Sequence, residues 1–75
     1  MAEVMTSAAV LVRVNGDERE VPAGLSVTGL LEHLGLHPRL VVVERNAEIL
    51  RRDALGDVCV EPGDRFELVH FVGGG

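Results

Sequence analysis

The sequence predicts an α+β domain, with one main helix packed across a small mixed sheet of four to five strands. Three observations predict it. The chain opens with two β-type segments joined by Asn15-Gly16, carries one stretch with helical apolar spacing, and closes on a strand pattern that runs into Gly73-Gly74-Gly75. A hairpin, a lone helix and a closing strand must share one core, because none can bury its apolar face alone.

Each element has a local reason. Ala9 to Val14 is apolar and β-branched, so it reads as a strand. Asn15-Gly16 suits a type I′ turn, which needs positive φ at both central residues. Glu18 to Val21 alternates weakly and stops at Pro22, the mark of an edge strand. Pro22-Ala23-Gly24 is a turn, and Ser26 stands at a helix N-cap, where its hydroxyl can accept a first-turn N–H. Val27, Leu30, Leu31 and Leu34 fall on one helical face. Gly35 supplies the left-handed stop, with Pro38 beyond it. Gly29 weakens the helix by about 1 kcal/mol relative to Ala, so it is expected to permit close packing on the sheet.

The second half is shorter in its elements. Leu40 to Val43 is a continuous apolar run, expected to be a central strand buried on both faces. Asn46-Ala47 turns into the short Glu48-Ile49-Leu50. Asp53 is expected to cap the turn after Arg51-Arg52, and the two arginines are read as solvated charges. Pro62-Gly63-Asp64 feeds a last strand from Arg65 to Val72, with Phe66 and Leu68 on one face and Val69 and Phe71 on the other. A hairpin, a crossing helix and a returning strand beside the first strand describe a β-grasp, in which the last strand is central. The expected organisation is a loose leader over 1–7, a β-grasp domain over 8–72 and a flexible tail over 73–75.

Composition narrows the function. Only Phe66 and Phe71 are aromatic, so Val, Leu, Ile and Ala must fill the core. The net charge of −5 argues against nucleic acid, whose phosphates require a basic face. No basic n-region marks a signal peptide, and no apolar run approaches the roughly 18 residues of a membrane span. A soluble cytoplasmic protein is expected. The single Cys59 can form neither an internal disulfide nor a cysteine-based metal site, and between Val58 and Val60 it reads as a buried small hydrophobe. The sequence offers no nucleophile–base pair, metal-ligand cluster or phosphate-binding loop. His33, His37 and His70 fall on different elements, and His70 is expected to face solvent. The chain is therefore not read as an enzyme.

The glycine triplet carries the chemistry. Glycine has no side chain, so a narrow channel can admit such a tail backbone-first. Its tip is a carboxylate that a partner enzyme can activate. All seven basic residues are arginine, so no lysine could attack that activated carboxyl.

The chain resembles the ubiquitin-like sulfur carriers of the ThiS type. The resemblance rests on Val12-Arg13-Val14-Asn15-Gly16, on Val21 to Leu31, on Asn46-Ala47-Glu48-Ile49 and above all on Glu61 to Gly75. It covers almost everything after the leader. The family pattern usually has Asn-Gly where this chain has Asn46-Ala47, and it is often more apolar at Glu44-Arg45.

The resemblance implies that a ThiF-type adenylyltransferase uses ATP to adenylate the Gly75 carboxylate. A cysteine desulfurase system would then supply sulfur, leaving a thiocarboxylate for a ThiG-type thiazole synthase in thiamin biosynthesis. Gly73 and Gly74 would form the thin stalk. Phe71, Val72 and Leu50 are the candidate docking residues, and no cofactor is expected to stay bound. The free protein is expected to be a monomer. Two alternatives share the fold: a small-subunit carrier of the molybdopterin-synthase type, and an interaction module without sulfur chemistry.

Overall fold

The computed structural model describes residues 8–71. The expected leader over 1–7, Val72 and the triplet Gly73, Gly74 and Gly75 lie outside the described residues. β1 (Ala9–Val14) and β2 (Asp17–Pro22) form the antiparallel hairpin. The helix α1 spans Val27–His33, and a 3-10 turn spans Pro38–Leu40. β3 (Val41–Arg45) and the short β4 (Glu48–Ile49) follow, then a second 3-10 turn at Arg52–Ala54 and β5 (Arg65–His70). The sheet order is β2-β1-β5-β3-β4, with β5 parallel to β1 and antiparallel to β3. The last strand is thus central, as the β-grasp reading requires, and the weakly alternating β2 lies at an edge.

The turns form as their residues dictate. Asn15 and Gly16 sit at φ 51° and 88°. Asn46 and Ala47 sit at φ 51° and 74°, so an alanine occupies the left-handed region that glycine would fill more easily. Gly35, at φ 80°, ends α1: its N–H bonds Glu32 C=O, and Leu36 N–H bonds Leu31 C=O. Those two bonds are the paired closure of a Schellman stop.

The start of α1 is held from outside the helix as well as from Ser26. The Ser26 hydroxyl accepts Gly29 N–H at 3.0 Å. Val27 and Thr28 donate to the carbonyls of Val58 and Leu55. Every otherwise unpaired N–H of the first turn therefore has a partner. Gly29 does not face the sheet. A Cβ there would stand 3.3 Å from Leu25 Cδ2 and 3.5 Å from Ser26 Oγ, so the room it leaves belongs to the preceding turn.

The core lies between α1 and one face of the sheet. Val27, Leu30 and Leu31 pack over Val12, Val14, Val21, Val41, Val43, Phe66 and Leu68, with Leu55 and Val60 closing the side. Phe66, the largest fully buried side chain, stands on the central strand. Burying such a side chain contributes about 1.5–3 kcal/mol. The run Leu40 to Val43 is not buried on both faces. Only Val41 and Val43 point into the core, Val42 is half-buried and Leu40 is exposed, because the helix covers a single face. β5 ends at His70, two residues short of the expected limit, although Phe71 N–H still bonds Leu40 C=O.

Candidate functional site

Strand alternation sorts the side chains of β3 and β5 between two faces. Phe66 and Leu68 enter the core, while Val69 and Phe71 point away from the helix. Val42 pairs with Val69, and Phe71 N–H meets Leu40 C=O at 2.8 Å, so the two apolar pairs are adjacent. Leu40, Val69 and Phe71 are 44%, 57% and 50% exposed. With Val42 they form an apolar patch at the end of β5 that leads into residues 72–75. Toward the opposite end of the same face, Glu44 pairs with Glu67 and Arg13 with Arg65.

Of the expected docking residues, Phe71 lies in this patch. Leu50 does not. Its N–H bonds Val43 C=O, and its half-buried side chain packs against the core. Val72, Gly73, Gly74 and Gly75 fall outside the described residues. Leu40, Val42 and Val69 join Phe71 without having been singled out in the sequence. Their signal was the apolar run itself, read for Leu40 and Val42 as burial on both faces, where Leu40 is exposed and Val42 half-buried.

The two asparagine turns hold β5 from both flanks. The Asn15 side chain accepts Leu68 N–H at 2.7 Å and donates to Leu68 C=O at 3.3 Å. On the other flank, Asn46 Oδ1 accepts Arg65 N–H at 2.9 Å and Asn46 N–H bonds Arg65 C=O at 2.7 Å. Asn46 Nδ2 also donates to Asp64 at 3.0 Å. The buried Asp64 carboxylate further accepts Arg45 Nε and Glu61 N–H, each at 2.9 Å. Burial pushes its pKa up, but the bonds from Glu61, Asn46 and Arg45 and the arginine's charge outweigh burial and hold it below the ordinary value. The sequence reading missed this cluster. Its local signal was an aspartate closing the Pro-Gly turn, while Arg45 and Asn46 lie 19 and 18 residues away.

Other titratable residues stand apart. Cys59 is exposed, contrary to the burial expected of it. It pairs with Ser26 in an extended bridge, where alternation turns Val58 and Val60 inward and the thiol outward. Asp53 does not cap its turn and instead pairs with Arg51 at 3.2 Å on an open surface. His33, His37 and His70 are all exposed. His37 Nδ1 accepts Arg39 N–H, which makes it a local cap. Among the described residues, no group of three His, Cys, Asp or Glu side chains could hold a metal ion. Among them, too, no helix is long and apolar enough to cross a membrane.

One helix across this five-stranded sheet, with an apolar patch where the central strand leaves it, defines a ubiquitin-like β-grasp domain. The particular family follows from the residues: the chain belongs to the ThiS family, whose model matches residues 12–75.

It is 40% identical over 50 residues to the sulfur carrier protein ThiS of Bacillus subtilis, covering 67% of this chain and 76% of that one. It is similar to thiazole synthases of Paramagnetospirillum magneticum (45% over 62 residues) and Magnetococcus marinus (41% over 64 residues). Those matches cover 83% and 85% of this chain but 19% and 20% of the synthases, so it spans about a fifth of their length. The crystal structure of a thiamine biosynthesis protein (ThiS) from Geobacter metallireducens superposes with a TM-score of 0.73 at 38% identity, covering 88% of this chain and all of that one.

Proposed function

We propose that the chain is a sulfur carrier for thiamin biosynthesis, acting through a thiocarboxylate at Gly75. The observation that carries this reading is the family match, which covers residues 12–75 and so takes in the glycine triplet. In the proposed cycle, a ThiF-type adenylyltransferase joins the carboxylate to AMP at the expense of ATP. Adenylation makes a poor electrophile a good one. The outer sulfur of a persulfide on a cysteine desulfurase system displaces AMP and leaves an acyl disulfide. A second thiol cleaves it, becoming oxidised to a disulfide with the donor cysteine, and the released thiocarboxylate passes its sulfur to a ThiG-type thiazole synthase. The chain is then a co-substrate and not a catalyst, with no cofactor resident on it and a monomeric free state. A cytoplasmic location fits, because ATP and reduced thiols are both at hand there.

Each part of the carrier has a task in this reading. Gly73 and Gly74 form a stalk slim enough to enter an active site. In this reading the patch of Phe71, Val69, Val42 and Leu40 docks the partner, and Val72 is a docking candidate from the sequence alone. A few central residues carry most of the binding energy of an interface and aromatic side chains are enriched there, so Phe71 is the main anchor of the patch. Leu50 is left out of the surface because it packs against the core. The names of the two synthases, each of which carries a ThiS-like stretch, support thiazole over molybdopterin as the acceptor pathway.

The test is the intact mass after incubation with ATP, a ThiF-type enzyme and a sulfur donor. Replacement of one oxygen by sulfur, mapped to Gly75, is the expected result. An unchanged mass with competent partners overturns the proposal in favour of an interaction module.

A further inference from the structure

β5 is supported unequally on its two flanks. On one side β3 stays paired with it as far as Val41 and His70. On the other, the β1 ladder ends at Val14 opposite Phe66. The chain then turns away through Asn15-Gly16 into β2. Past Phe66, a side chain takes over from the strand. Asn15 N–H bonds Phe66 C=O at 2.8 Å, and the Asn15 amide then both accepts from and donates to the backbone of Leu68. An amide side chain carries the same donor and acceptor as a peptide unit, so it can stand in for one more strand residue. It holds this pose because the turn fixes Asn15 in the left-handed region, at φ 51°. The corresponding bonds from Asn46 fall at Arg65, at the other end of the strand.

We propose that Asn15 is a positioning residue for the carboxyl-terminal reaction: its amide completes the open flank of β5 at Leu68 and sets the direction in which the chain leaves the sheet toward Gly75. The inference rests on the sulfur-carrier reading, in which the carboxylate must reach a partner's active site. With the amide gone, β3 still holds β5 through His70 and Phe71, so the patch at Phe71 still docks. The end of the strand is then held from one flank alone and tilts more freely against the sheet, so fewer docked molecules place the carboxylate correctly. The expected signature is a lower kcat at unchanged KM, since binding is kept and productive alignment is lost.

The experiment compares the wild-type chain with Asn15→Gly and Val21→Ala. It measures ATP-dependent pyrophosphate release by a ThiF-type enzyme, with amide exchange at Leu68 as a second readout. Glycine adopts the positive φ of the turn readily and removes the side chain that carries the amide. Val21→Ala loses core packing on β2, away from β5, and accounts for any general loss of stability. For Asn15→Gly we expect faster Leu68 exchange and a fall in kcat of about tenfold at unchanged KM, less than the roughly hundredfold that a 1 Å misplacement can cost. Val21→Ala should keep both constants.

Unchanged Leu68 exchange in Asn15→Gly overturns the proposal whatever the enzyme does. So does an unchanged kcat, or an equal loss in Val21→Ala. No pyrophosphate release from the wild-type chain overturns the carrier reading itself, a result distinct from these.

Discussion

Asn15 and Leu68 stand 53 residues apart in sequence and exchange two hydrogen bonds through one side chain. The contact ties the first turn of the chain to its last strand. Asn46 does the same from the opposite flank and brings the buried Asp64 with it. The central strand is therefore braced by two turns that local sequence marks only as hairpin signals.

Asp64 should be the most sensitive polar residue of the fold. Asp64→Ala leaves Arg45, Asn46 and the Glu61 N–H without their shared acceptor. The expected loss is about 2–3 kcal/mol, below the full cost of breaking a buried pair because Arg45 keeps some contact with water. Urea denaturation measures it. The sign of the pH dependence follows from the depressed pKa: this stabilisation is complete above the ordinary value of 3.8 and is lost as pH falls through the lower folded value. Asp64→Asn should flatten the acid limb of the stability curve, and an unaltered limb would count against the assignment.

Ala47→Gly should stabilise the domain. Ala47 holds φ 74°, a conformation that costs a residue with a Cβ about 1 kcal/mol or more. Glycine removes that strain but adds freedom to the unfolded chain, so the net gain expected is about 0.5 kcal/mol. Thermal melting decides it, and a lower midpoint would mean that Ala47 makes contacts worth more than its strain.

Phe71→Ser separates folding from docking. The ring is half-exposed on the open face, so stability should fall by less than about 1 kcal/mol. The KM for adenylation should rise about tenfold, the effect of losing about 1.4 kcal/mol at an interface. A variant that loses stability while its KM stays put would place Phe71 in the fold and not in the docking surface.

Cys59→Ser tests the outward orientation of the thiol. An exposed site should tolerate the change within about 0.5 kcal/mol. Reaction with a thiol reagent under native conditions should be complete without unfolding. A protected thiol, or a loss of several kcal/mol, would restore the buried reading.

The sequence alone determined the elements with a local physical cause. β1 follows from β-branched composition, α1 from a 3.6-residue apolar period between Ser26 and Gly35, and both hairpins from asparagine turns. The central place of the last strand followed from element order. The tertiary structure decided what depends on which face is covered and on pairs distant along the chain. Leu40 and Val42 have the composition of buried residues, yet one helix can cover only one face of the sheet. Cys59 looks buried between two valines, yet alternation turns it out once that segment pairs with the start of α1. Asp64 with Arg45, and Asn15 with Leu68, meet only after the sheet has closed, because a hydrogen bond depends on distance in space and leaves no periodic trace in the chain.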